Sequence, residues 1–178
     1  MSLLQGQTAF VTGAGTGIGK AIAQDLAAAG VKVIVCGRRP GPLEETVQSI
    51  TAVGGVASAV TCDLTDPDAI EECAQALLAE HGTIDILINN AGFSSKIRSS
   101  RYIGAEEWRD VMDVNTMGPV VLTKALLPAM VEKGRGDVVM ISSMAAINPS
   151  IMAGAAYSAA KVAARAYMNV LAQEMRPY

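Results

Sequence analysis

The sequence predicts an α/β fold: a doubly wound parallel sheet with helices on both faces. Three observations predict it. Strand-forming and helix-forming segments alternate five times along the chain. Several of the strands are continuous apolar runs, the pattern of strands covered on both faces. A run of glycines, Thr12-Gly13-Ala14-Gly15-Thr16-Gly17-Ile18-Gly19, joins the first strand to the first helix. Right-handed crossovers then give a strand order of 3-2-1-4-5 in three layers. The 178 residues suffice for a single domain (1–178) with a sizeable, aliphatic core, since 51% are hydrophobic and only 4% aromatic.

The elements follow in order. Thr8 to Val11 is the first strand, and the first helix runs from the glycine turn to Ala29, stopped by Gly30. Val31 to Cys36 is the second strand, followed by the loop Gly37-Arg38-Arg39-Pro40-Gly41. The second helix carries Leu43, Val47 and Ile50 on one face and ends at Gly54-Gly55. Val56 to Cys62 is the third strand. Asp66-Pro67 then starts a helix, with proline suited to its first turn, and Gly82 ends it after His81. The fourth strand is Ile84 to Ile88, closed by Asn89-Asn90-Ala91-Gly92. A polar loop, Phe93 to Gly104, leads to a long helical stretch from Ala105 to Lys133. Asp137 to Ser142 is the fifth strand, and the last helix covers about Ala155 to Met175.

Doubly wound sheets bind ligands beyond the carboxyl ends of their strands. Those ends carry Gly13, Gly37, Asp63, Asn90 and Ser142-Ser143, which puts all of them on one crevice. In the glycine turn, the first glycine permits a tight turn, the middle one a close backbone approach, and the last close packing of helix on strand. The helix start presents free N–H groups and a partial positive charge, which suits a phosphate.

Tyr157 and Lys161 are four residues apart on a helix and share a face. An ammonium near a phenol favours the phenolate, and a tyrosine so tuned exchanges a proton with an alcohol or ketone near neutral pH. Ser143 lies on the same rim, where its hydroxyl can hold a substrate oxygen. Asn115 has two readings. Pro119, four residues on, either frees the Asn115 carbonyl and kinks the helix there, or starts a second segment that Asn115 caps. Trp108 and Met112 read as helix core. Lys96, Arg98 and Arg101 form a basic loop, either solvated or set to meet an acidic substrate.

Composition removes other classes. A net charge of −3 and the lack of a basic helix argue against a nucleic-acid surface. The first residues are not a signal peptide, and no apolar run of membrane-spanning length is expected. Cys36, Cys62 and Cys73 form no CxxC pair, so no metal site is expected, and the sparse, odd set suits a reducing cytoplasm. His81, the one histidine, ends a helix away from the strand termini, which removes a Ser-His-Asp triad.

Taken together, the sequence resembles the short-chain dehydrogenases/reductases. The matching pieces are Thr12 to Gly19, Asp63 after the third strand, Asn89 to Gly92, Asn115, Ser143, and Tyr157 with Lys161. The resemblance implies a Rossmann fold, a nicotinamide cofactor and hydride transfer to or from a carbonyl carbon. It makes Tyr157 the general acid/base, Ser143 the substrate-oxygen donor with Ser142 as the alternative, and Asn115 part of a proton relay. Lys161 would bind the ribose and tune Tyr157. The cofactor would meet Gly13, Gly15, Thr16, Gly17, Ile18 and Gly19, then Arg38, Arg39, Asp63 and Leu64, then Asn90, Ala91, Gly92, Tyr157 and Lys161. Gly37 stands where an acidic residue would bond the ribose of NAD, and Arg38 and Arg39 follow it. Two guanidiniums suit a 2′-phosphate, so NADP is expected over NAD. The expected partner is a small alcohol or ketone.

Two further expectations concern assembly and extent. Ala156, Ala160, Ala163 and Ala164 form a small apolar face on the last helix, and Val120, Val121, Leu126 and Leu127 add apolar surface on the long one. With the resemblance, these point to a homodimer or homotetramer through the last two long helices. Relatives of the resembled family run on for roughly a third more of their length beyond Tyr178. The chain is therefore expected to be a fragment lacking the last strands and the substrate-covering segment. The rival class is a non-catalytic dinucleotide-binding or sensing protein.

Overall fold

The computed structural model describes residues 3–178. Its strands are β1 (Thr8–Thr12), β2 (Lys32–Gly37), β3 (Val56–Thr61), β4 (Ile86–Asn89) and β5 (Asp137–Met140). All pair in parallel, in the order β3-β2-β1-β4-β5. The helices are α1 (Gly17–Ala28), α2 (Pro40–Thr51), α3 (Pro67–His81), α4 (Ala105–Met112), α5 (Gly118–Lys133) and α6 (Ala155–Glu174). The expected fold and strand order are therefore those observed.

Strand alternation sorts the core into two halves. Phe10, Ile34 and Leu87 point to one face, against Ile70 and Leu77 of α3 and Leu122 and Leu126 of α5. Val11, Val33, Val35 and Ile88 point to the other, against Ala23 and Ala27 of α1 and Leu43 and Ile50 of α2. The start of α3 is built as its sequence suggests. The Asp66 carboxylate accepts from the N–H groups of Asp68 (3.0 Å) and Ala69 (3.3 Å), and Pro67 occupies the first turn.

Residues 105–133 are one helical rod with a π turn, Asp113–Met117, between α4 and α5. Gly118 donates to the Asp113 carbonyl, five residues back, and Pro119 sits in the first turn of α5, where a missing N–H costs little. Asn115 caps nothing, so the capping alternative fails; its amide turns inward instead. The rod contains an 18-residue window of mean hydropathy 1.3, enough by length and composition to cross a bilayer. Half of that window is buried within the fold, with Leu122 and Leu126 on the core.

A satellite core docks α6. Val111 of α4 packs with Ala156 and Ala160, flanked by Trp108, Met112 and Tyr157. Trp108 and Met112 are thus core, as their spacing suggests. Ala156, Ala160 and Ala164 are at most 1% exposed, so three of the four alanines expected to face a second copy are used inside the subunit. Small side chains serve here to let α4 and the π turn approach α6.

Two strands are shorter than the apolar runs that mark them. Ile84 is buried but precedes β4; beside it the Asp85 carboxylate takes the Thr8 N–H at 2.9 Å while the Asp85 N–H donates to the Thr8 carbonyl at 2.9 Å. β5 stops at Met140 because its partner β4 stops at Asn89. Asp85 also accepts from Lys133 Nζ at 2.6 Å, with Arg135 at 3.9 Å. Burial pushes the Asp85 carboxyl up, but Lys133, the Thr8 N–H and Arg135 outweigh it and hold it below the ordinary value. A depressed carboxyl stabilises the fold above its unfolded-state pKa near 3.9, and that contribution is lost as pH falls through the lower folded value. Asp85→Asn is expected to cost about 1.5–3 kcal/mol at neutral pH. The difference from the parent should shrink below about pH 4 in denaturant melts followed by circular dichroism.

Candidate active site

The crevice at the carboxyl ends of the strands begins at the glycine turn. Gly13 has φ +66°, and a Cβ there would lie 2.9 Å from the Ala91 Cα and the Asn90 amide nitrogen. A Cβ on Gly19 would lie 2.5 Å from the Gly13 carbonyl oxygen and would also strike the Asn90 amide. Neither site admits another residue without displacing backbone. The first turn of α1 has no side-chain cap, so its N–H groups face the crevice open to an anion.

Thr12 organises this junction and is absent from the sequence-based site. It is fully buried, and its Oγ1 donates to the Ile88 carbonyl at 3.3 Å. The same oxygen accepts from the N–H groups of Asn90 and Ala91, both at 3.0 Å. The Asn90 amide donates back to the Thr12 carbonyl at 2.8 Å and the Gly13 carbonyl at 3.3 Å. Thr46 of α2 was missed as well. Its buried hydroxyl sits 3.0 Å from the carbonyls of Ala14 and Pro42, holding α2 against the glycine turn. The one signal for Thr12 is a hydroxyl ending an apolar strand, a place where Thr bonds to main chain.

The crevice wall contains every expected cofactor residue except Gly17: Gly13, Gly15, Thr16, Ile18, Gly19, Arg38, Arg39, Asp63, Leu64, Asn90, Ala91, Gly92, Tyr157 and Lys161. Pro42, Leu43, Phe93 and Val114 add apolar wall that sequence reasoning did not find. Asp63 is folded on itself, its Oδ1 accepting from the Thr65 N–H (3.0 Å) and hydroxyl (2.9 Å). Arg38 and Arg39 are exposed at the rim.

The other end of the crevice gathers the proposed chemistry. Lys161 is 4% exposed, and its Nζ donates to the Ile141 carbonyl at 2.9 Å. That nitrogen lies 5.8 Å from the Tyr157 ring centre and 3.5 Å from where a Gly92 Cβ would be. Burial holds the Lys161 ammonium below the ordinary lysine value. Asn115 is fully buried at the centre of the π turn. Its amide nitrogen donates to the carbonyls of Phe93 and Val111, both at 2.9 Å. That fixes the amide so that its oxygen, buried and without a partner, faces Gly92. Ser142 lines the crevice. Ser143 Oγ accepts from the Ala145 N–H at 3.1 Å, capping the short turn Met144–Ala146. Arg98 points away, its guanidinium donating to the Met152 carbonyl at 2.6 Å and tying two loops together.

A family model described as short chain dehydrogenase matches residues 7–178. The chain belongs to that family. Dehydrogenase/reductase SDR family member 7B of Rattus norvegicus is 42% identical over 179 residues, covering 97% of this chain and 54% of that protein. Fatty acyl-CoA reductase of Acinetobacter baylyi is 37% identical, covering 97% and 58%. A solved metagenomic short-chain oxidoreductase in complex with NADP superposes with a TM-score of 0.94 at 40% identity, covering 98% of this chain and 78% of that one. The chain spans about half the length of the curated relatives it matches.

The junction supplies a test. Thr12→Val keeps the shape but leaves the half-buried Ala91 N–H without its acceptor. It is expected to cost about 1–3 kcal/mol in urea unfolding, with no change in m. A cost near zero would mean that the hydroxyl does not hold the two strand ends together.

Proposed function

We propose that the protein is an NADP-dependent oxidoreductase acting on an alcohol/carbonyl pair. The observation that carries this reading is the convergence of Tyr157, Lys161 and Ser142, the residue next to Ser143, on one end of a crevice whose other end is the uncapped α1. NADP fits the residues present. Two glycines leave room for close backbone approach, open N–H groups suit a pyrophosphate, and two guanidiniums at the rim suit a 2′-phosphate. The family resemblance and an NADP-bound relative support the same choice, with NAD the weaker ligand.

When bound, the nicotinamide supplies or accepts the hydride. The chain's own residues handle the oxygen and its proton. Tyr157 gives its phenolic proton to the substrate oxygen in reduction and takes it back in oxidation. Ser143 Oγ uses a lone pair on the Ala145 N–H, which leaves its O–H to donate to the same substrate oxygen. Lys161, anchored on the Ile141 carbonyl, holds its ammonium beside the Tyr157 ring, in reach of the cofactor ribose. The unpaired Asn115 oxygen stands ready to accept a proton-relay hydrogen bond next to Gly92 and Lys161.

The same proposal includes a cytoplasmic location, and the three cysteines are free in the structure. It also includes a homodimer or homotetramer through α5 and α6. Within α6 the surface left for a second copy is the exposed stripe of Val162 and Val170, not the buried alanines. Sedimentation at micromolar concentration tests it, and a clean monomer would count against it.

The chemistry is tested with a panel of ketones and alcohols, followed by absorbance of the reduced cofactor. Tyr157→Phe is expected to lower turnover by about 10²–10⁴-fold while NADPH still binds. Unchanged turnover would sink the mechanism, and binding without turnover in the parent would favour a sensor. Arg38→Ala is expected to narrow the difference between the NADP and NAD dissociation constants. Equal affinity for both in the parent would overturn the cofactor choice.

A further inference from the structure

Three distant segments bring the three cysteines together at the Arg38 end of the crevice. Cys36 of β2 pairs in register with Val60 of β3, and Cys62 follows Val60 by two residues, on the same face. In its protonated form the Cys62 thiol donates to the Ala69 carbonyl of α3 at 3.7 Å. Cys73 lies one turn after Ala69, and helical side chains lean back over the preceding turn. Cys36, Cys62 and Cys73 thus pack in one cluster, with Cys62 between the other two. Cys36 is fully buried, whereas Cys62 and Cys73 line a side recess with Arg38, Asp63 and Glu72. Arg38, Cys62 and Asp63 also line the main crevice, so the two spaces share a wall.

We propose that Cys62 and Cys73 are a reversible disulfide site, oxidised by low-molecular-weight disulfides entering the side recess, and that its closure weakens NADP(H) binding next door. The second half rests on the crevice being the cofactor site. Cys62 is the attacking group. Hydrogen bonds from Cys36 and Cys73 hold its thiol well below the ordinary range, against burial and the charges of Asp63 and Asp66. The Cys62 contact and burial push Cys73 up. Only the thiolate attacks a disulfide.

The Cys62 thiolate attacks one sulfur of RSSR, forms Cys62–S–S–R, and expels RS⁻, which takes a proton from solvent. Cys73 then loses its proton, attacks the Cys62 sulfur, forms the protein disulfide and expels the second RS⁻. The two protein thiols lose two electrons and two protons, and RSSR becomes two RSH. Cys62 directly precedes Asp63 and Leu64 of the crevice wall, so tying it to α3 moves that wall. By reciprocity, bound NADP shifts the thiol–disulfide equilibrium toward the reduced pair.

The purified protein is incubated with oxidised glutathione without cofactor, then mapped by mass spectrometry. The expected product is about 2 Da lighter, with Cys62 linked to Cys73, and dithiothreitol reverses it. Cys73→Ser should stop at a glutathione adduct on Cys62, while Cys62→Ser should leave Cys73 unmodified. A linkage through Cys36, a stable adduct on Cys73, or a parent protein that stays reduced would overturn the site; the parent result needs no variant to fold. NADPH fluorescence titration should then show binding about tenfold weaker after oxidation, restored on reduction. Unchanged affinity overturns the coupling. If the reduced protein binds no NADPH, the cofactor reading fails and takes the coupling with it, while thiol mapping alone still decides the disulfide.

Discussion

Everything in the crevice depends on one short approach: the first turn of α1 against the ends of β1 and β4. Gly19 lies so close to the Gly13 carbonyl and the Asn90 amide that no Cβ fits. That contact sets where the α1 N–H groups point, and so where an anion can sit. Thr12 fixes the same place from below, with one oxygen serving a carbonyl and two N–H groups. A steric vacancy and a saturated hydroxyl act together, and neither would hold the junction alone.

The loop Asn90-Ala91-Gly92 carries this constraint across the molecule. One side is bonded to Thr12 and Gly13. The other is pressed by the Asn115 oxygen and stands beside Lys161. The glycine-turn half and the Tyr157 half of the crevice are therefore two faces of three residues. The π turn supplies the second face, because it turns the Asn115 amide inward onto Phe93 and Val111. Lys161 completes it through the Ile141 carbonyl, which lies just past the end of β5.

The strand order, the crevice and the polar and glycine part of its wall were legible in the sequence, because each rests on local signals: an apolar run, a glycine turn, a proline at a helix start. What escaped was set by contacts between distant segments. Thr12 and Thr46 look like ordinary strand and helix residues until β4 and the glycine turn close on them. The alanines of α6 read as a surface for another chain, yet the inward approach of α4 claims them. Ile84 looked like strand, but it precedes β4, beside an Asp85 carboxylate that takes the Thr8 N–H. Cys36 and Cys62 end two strands and so could be read as neighbours, but Cys73 carries no such signal, and only α3 brings it to them.

The π turn has a consequence for how one rod serves two neighbours. Val111 packs on α6, whereas Leu122 packs toward α3 and the sheet. They are 11 residues apart, so at about 100° per residue an unbroken α-helix would set them within about 20° of one face. The widened turn absorbs about one residue without its share of rotation, a phase change of about 100°. A single continuous rod thereby carries two buried stripes aimed in different directions. The residue at the phase change is Asn115, so the angular offset between two packing interfaces and the placement of a polar group in the crevice are one geometric event.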